Sequence, residues 1–122
     1  MLDIEVLSKC ELEGISTVRA NTMLISITDF GCDFAKLNKM VSDTLTTSLF
    51  IRFEDVEAGE KNCITSEDSE RILEFVESNI ERCEHILINC DGGVSRSAGV
   101  AVALATILGI DDGFIWNNSR LS

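Results

Sequence analysis

Apolar residues follow two rhythms in this chain, short β-rich runs and stretches spaced by three and four, and the two alternate along its length. Asp3 to Ser8 sets Ile4, Val6 and Leu7 among polar neighbours, which predicts an edge strand, and a short helical or irregular stretch follows through Gly14. Met23-Leu24-Ile25-Ser26-Ile27-Thr28 is a compact run ended by Asp29 and Gly31, the signature of a buried strand. Phe34, Leu37, Met40 and Val41 fall at the spacing of a short amphipathic helix, and Thr47 to Phe53 returns to a strand pattern. Residues Glu54 to Thr65 are acidic, carry Gly59 and read as a loop. Thr65 or Ser66 then supplies an N-cap ahead of Glu67 and Asp68, acids that favour a helix start. The helix this opens, running to Arg82, puts Ile72, Leu73, Phe75, Val76 and Ile80 on one face. His85 to Asn89 is a further buried strand, and Ala98 to Ile110 is so uniformly aliphatic that it predicts a helix buried on most sides.

Strands alternating with helices imply an α/β fold, a three-layer sandwich in which a central, mostly parallel sheet is flanked by helices, as one domain over residues 1–122. In such a fold, sites gather at the carboxyl ends of the strands. The chain closes on Asn117-Asn118-Ser119-Arg120-Leu121-Ser122 with no strong final element, so Gly113 to Ser122 reads as a shortened C-terminal element.

Composition narrows the partners. The net charge of -11 is spread over the chain, whereas nucleic acid and anionic membrane surfaces reward clustered Lys and Arg, so neither is expected as a partner. No run reaches the roughly 18 to 20 apolar residues of a membrane span. Met1-Leu2-Asp3-Ile4-Glu5 lacks the basic start of a signal peptide, which points to an intracellular, cytoplasmic protein. Cys10, Cys32, Cys63, Cys83 and Cys90 form no CxxC pair and the chain has one histidine, so the pattern implies reduced thiols and neither metal nor cofactor.

The chemistry is concentrated in Asn89-Cys90-Asp91-Gly92-Gly93-Val94-Ser95-Arg96-Ser97, between an apolar strand and an apolar helix. Backbone N–H groups in a tight turn opening a helix converge as donors, and the helix dipole adds partial positive charge, so an oxyanion such as phosphate fits. The same field favours the thiolate form of Cys90 and makes it a nucleophile. Arg96 can curl back to grip two phosphate oxygens with its planar fork.

Cys90 to Arg96 is Cys-x5-Arg, with Gly93 three residues after the cysteine and Ser97 after the arginine. This resembles the active-site signature of the cysteine-dependent protein tyrosine phosphatases, and Val94-Ser95-Arg96-Ser97-Ala98-Gly99 looks most like their dual-specificity branch. The likeness covers residues 47 to 110. It implies that Cys90 attacks phosphorus to give a cysteinyl-phosphate, that Arg96 and the amides of Asp91, Gly92, Gly93, Val94 and Ser95 bind the phosphoryl oxygens, and that Ser97 eases departure of the thiolate. It also implies a general acid upstream. Asp55, 35 positions before Cys90 and just past a strand, is the candidate, with Glu54, Glu57 and Asp68 as competitors.

The substrates implied are phosphorylated proteins or peptides carrying phosphotyrosine, with phosphoserine and phosphothreonine also open. Asp91, Gly92 and Val94 stand where related lipid phosphatases often carry lysine, which disfavours phosphoinositides. Asn89 departs from the family's usual histidine; it can hydrogen-bond but brings no cationic character, so weaker stabilisation of the Cys90 thiolate is expected. The alternative is a pseudophosphatase that binds phosphorylated partners without turnover, and a rhodanese-like thiol chemistry is a more distant third. Cys63 and Cys83 are candidate disulfide partners for Cys90 under oxidation or, as the blander reading, inert buried thiols. His85 reads as a rim residue and Trp116 as packing.

Overall fold

The structure is a computed structural model that describes residues 2–53, 64–91 and 95–109. Its elements are β1 (Asp3–Ser8), α1 (Lys9–Gly14), β2 (Thr22–Thr28), α2 (Lys39–Thr44), β3 (Thr47–Arg52), α3 (Ser66–Asn79), β4 (His85–Cys90) and α4 (Ser95–Leu108). The strands form one sheet in the order β1-β4-β2-β3, with every pairing parallel. The expected mostly parallel α/β sheet is therefore fully parallel among the described residues, with β1 at an edge. β2 is central and all seven of its residues are buried, as expected for a strand covered on both faces.

The two faces bury separate cores. Ile4, Val6, Met23, Ile25, Ile27, Ile51, Ile86, Ile88 and Cys90 face Ile72 and Val76 of α3 and Ala101, Leu104 and Ala105 of α4. Leu7, Leu24 and Leu87 face Leu12 of α1, with Leu37, Leu45 and Phe50 packed against them. Topology explains this division. From β1 through β3 the chain travels one way across the sheet, with α1 and Leu45, the C-cap of α2, on one face; it returns from β3 to β4 with α3 on the other. Right-handed crossovers place opposite directions of travel on opposite faces. α4 then joins α3, packing on β4 and β1. β4 thus sends its chain to one face while its neighbours β1 and β2 send theirs to the other, and the crevice this opens at the end of β4 is a switch point of the kind where α/β sheets bind ligands.

Local chemistry fixes the element ends. Thr65 is the N-cap of α3: its Oγ1 accepts from Asp68 N at 3.1 Å, and the Asp68 carboxylate accepts from Thr65 N at 3.0 Å. Such a reciprocal cap contributes about 1 kcal/mol. Ser8 and Glu11 do the same for α1.

Two expectations are corrected. The helix predicted from Phe34 onward begins only at Lys39, because Asn38 caps it and Phe34 has a competing use. The Phe34 ring meets Phe50 edge-on at 5.4 Å and carries the Arg52 guanidinium 3.9 Å above its centre, which holds the segment as irregular cover over the sheet. Met40 is consequently exposed. α4 is also not buried on most sides: Ala101, Leu104 and Ala105 meet the sheet, whereas Gly99, Ala103 and Ile107 are exposed. Its aliphatic outer face borders a shallow apolar groove against Ile64, Ile72 and Leu73 of the α3 region. Among the described residues no helix is long and apolar enough to cross a membrane.

Candidate active site

All four strands contribute to one cluster at their carboxyl ends. Cys90 is the last residue of β4 and is fully buried, its side chain on the face covered by α3 and α4. Ser95 opens α4, and Ser97, in the first helical turn, places Oγ 3.3 Å from Cys90 Sγ. α4 has 14 residues, so its amino-terminal dipole bears directly on this thiol and on any anion beside it.

Arg96 is the hub. Its Nη1 donates to the Asp29 carboxylate, just beyond β2, and to the Phe53 carbonyl, just beyond β3, at 2.9 Å. Its Nη2 donates to the Asp91 carbonyl, just beyond β4, at 3.3 Å. The side chain is only 9% exposed, and its Nε is buried with no hydrogen-bond partner among the described residues. A guanidinium has five N–H donors. With Nη1 and Nη2 bonded to these acceptors, Nε–H is left without one among the described residues, and the Nε and Nη2 edge of a guanidinium is one that can offer a side-on fork to two oxygens of an anion.

Asp91 enters through its backbone rather than its charge. Its carboxylate accepts from Asp29 N at 2.7 Å and lies 3.5 Å from Lys9 Nζ, at the end of β1. Lys9 Nζ also donates to the Asp33 carbonyl at 2.5 Å. Lys9 thus pairs with Asp91 and Arg96 with Asp29, and the Asp29 amide links the two ion pairs across the sheet's end. Asp29, Cys32 and Asp91 bring an oxygen, a sulfur and an oxygen within 4.8 Å of one another. Because Arg96 and Lys9 already neutralise the two carboxylates, and hard oxygen is mixed with soft sulfur, these three make a poor cation cage.

Of the residues expected at the site, Cys90, Asp91, Arg96 and Ser97 are brought together, and Ser95 starts the helix behind them. Gly92, Gly93, Val94, Asp55, Glu54, Glu57, Cys63 and Trp116 lie outside the described residues. Asp68, a competitor for general acid, is committed to capping α3. Side chains alternate along a strand, so the Asn89 amide points to the face opposite Cys90, level with Leu7 and Ser26. It is buried there with neither amide atom hydrogen-bonded among the described residues, and Ser26 Oγ and Thr28 Oγ1 share that condition.

Cys83 precedes β4 and Cys90 ends it, a separation of roughly 20 Å along an extended strand, so no disulfide can join them in this fold. His85 sits at the far end of β4 with Nδ1 2.8 Å from Asp3 Oδ1, remote from the thiol.

Sequence reasoning missed Asp29, Lys9 and the Phe53 carbonyl. The signal was present for Asp29: it is the first residue after the most apolar strand, the position where parallel sheets place functional groups. Comparison with protein-family models, curated proteins and solved structures gives no match to this chain.

Proposed function

We propose that this chain is a phosphatase that hydrolyses phosphate monoesters on proteins through a cysteinyl-phosphate on Cys90, in a fold of the protein tyrosine phosphatase type. The observation that carries the reading is the Arg96 side chain, only 9% exposed, whose Nε is buried with no hydrogen-bond partner among the described residues, next in sequence to the Ser97 that meets Cys90. A buried cationic donor without an acceptor is costly, and an oxyanion relieves that cost.

In the first step the Cys90 thiolate attacks phosphorus. An S–P bond forms as the P–O bond to the leaving group breaks, and the leaving oxygen takes a proton from the general acid, assigned by resemblance to Asp55. Charge spreading over the equatorial oxygens is met by the Arg96 fork and by the amino terminus of α4. In the second step water attacks the phosphocysteine, its proton passing to the same carboxylate. Inorganic phosphate leaves, and the returning thiolate is met by the Ser97 hydroxyl 3.3 Å away. Cys90 has no exposed surface, so the first step requires its cover to open toward the oxyanion.

The test is hydrolysis of a small aryl phosphate by the full chain. Turnover that vanishes in Cys90→Ser while inorganic phosphate still binds supports the mechanism; undiminished turnover in that variant removes it. Binding of phosphopeptide with no turnover at any pH assigns the chain to the pseudophosphatase reading.

A further inference from the structure

The carboxylate of Asp29 accepts from the one arginine on which the proposed phosphate site depends, and nothing in the resemblance assigns it a role. We infer that Asp29 is a positioning residue: by holding Nη1 of Arg96 against the end of β2, it turns the Nε and Nη2 edge toward the oxyanion. The inference rests on the phosphate-site reading above and adds the group that sets the arginine's orientation.

Asp29 is itself held at three points. Its amide donates to Asp91 Oδ2 at 2.7 Å, and its carbonyl accepts from Cys32 N at 3.2 Å, closing a four-residue turn. Gly31, at the third position of that turn, has φ +85°, which a residue with a side chain adopts only under strain. Its third restraint is β2, buried along its whole length. The backbone that carries the carboxylate is therefore fixed beside Arg96.

Arginine has four rotatable side-chain bonds, and the Phe53 and Asp91 carbonyls would still allow its plane to roll. A charged acceptor on Nη1 stops the roll, and a bond to a charged group is about twice as strong as a neutral one. The same carboxylate also repels an incoming phosphate. Two features make that repulsion the smaller effect. Asp29 is 36% exposed, so water screens it, and it lies across Nη1 from the edge that binds. Preorganisation acts at the bonded atoms, where misplacement by an ångström costs a transition state about a hundredfold.

The experiment is calorimetric titration of inorganic phosphate into the full chain, with kcat and KM on an aryl phosphate measured in parallel. Wild type is compared with Asp29→Ala, Asp29→Asn, Arg96→Lys and the Asp29→Ala/Arg96→Lys double variant, each checked by thermal melting. Asp29→Ala is expected to bind phosphate about tenfold more weakly and to lose at least that much in kcat/KM. Asp29→Asn keeps an oxygen acceptor in the same place and should lose less. In the Arg96→Lys background the alanine substitution should cost little, because the group it positions is gone. Equal or tighter phosphate binding in Asp29→Ala overturns the inference and makes Asp29 an internal competitor. Equal losses in Ala and Asn variants that follow melting temperature overturn it in favour of a purely structural role. If wild type itself binds no phosphate, the phosphate-site reading fails and the inference with it.

Discussion

Cys90 Sγ and Ser97 Oγ stand 3.3 Å apart, joining the last residue of β4 to the first helical turn of α4. In the ground state this contact is one more buried polar pair. In the proposed second step it becomes a hydrogen bond to a departing thiolate, and bonds to charged groups contribute about 1.5–3 kcal/mol. Ser97→Ala should therefore slow hydrolysis of the phosphocysteine by about ten- to a hundredfold while leaving its formation nearly intact. Rapid-quench kinetics on an aryl phosphate should show a full burst of phenol followed by a slow steady state. Loss of the burst together with the steady state would place Ser97 in the first step instead.

Arg96→Lys preserves charge and removes the fork. The guanidinium reaches Asp29, the Phe53 carbonyl and the Asp91 carbonyl at once, and its Nε has no partner among the described residues. An ammonium is a point charge with three donors and cannot reproduce that pattern. Phosphate affinity should drop by at least about tenfold, and the melting temperature should fall because the Phe53 and Asp91 carbonyls lose a donor. Titration and melting of the same sample check both. Retained affinity in the lysine variant would mean that net charge, rather than orientation, holds the anion.

How far the sequence carried this picture depended on distance along the chain. The β2 and β4 runs and the Thr65 cap are local patterns, and each stands in the structure where it was expected; the Cys90-to-Ser97 spacing is local too, and the two side chains meet. Asp29 was passed over as a strand terminator because its partner lies 67 residues on, and only the β1-β4-β2-β3 order brings the ends of β2 and β4 side by side. The Phe34 segment misled for a related reason. Its three-and-four spacing was genuine, but the ring's stacking on Phe50 and Arg52 of β3 outweighed helix formation. Asn89 adjoins Cys90 in sequence, but neighbouring residues of a strand face opposite layers, and only the strand's setting shows that its side chain lies on the face away from the thiol.

That placement of Asn89 gives a stability prediction. Its amide is buried between Leu7 and Ser26 in the layer covered by α1, with neither polar atom bonded among the described residues. A buried amide without partners costs free energy, and an apolar group of similar volume does not. Asn89→Leu should be neutral or raise stability by about 1 kcal/mol, whereas Leu24→Ala in the same layer should lower it by about 2–5 kcal/mol. Urea unfolding followed by fluorescence or circular dichroism measures both. A large loss in Asn89→Leu would show that the amide is paired in solution, through ordered water or through a residue outside those described.

Asp55 enters through the resemblance, and its role is separable by chemistry. A general acid matters in proportion to how badly the leaving oxygen needs a proton. Phenyl phosphate has a poor leaving group, and 2,4-dinitrophenyl phosphate a good one that departs as the anion. Asp55→Asn should lose about a hundredfold or more in kcat/KM on the first and far less on the second, because proton transfer contributes about 10²–10⁴ where it is needed. Glu54→Gln and Glu57→Gln, assayed on the same pair, should lose little on either. Asp68→Asn belongs in the same comparison, and because the Asp68 carboxylate caps Thr65 N at the start of α3 its loss is expected to fall on stability. Equal losses on both substrates in Asp55→Asn, with a selective loss in one of the glutamate variants, would move the role to that glutamate and leave the Cys90 and Arg96 assignments untouched.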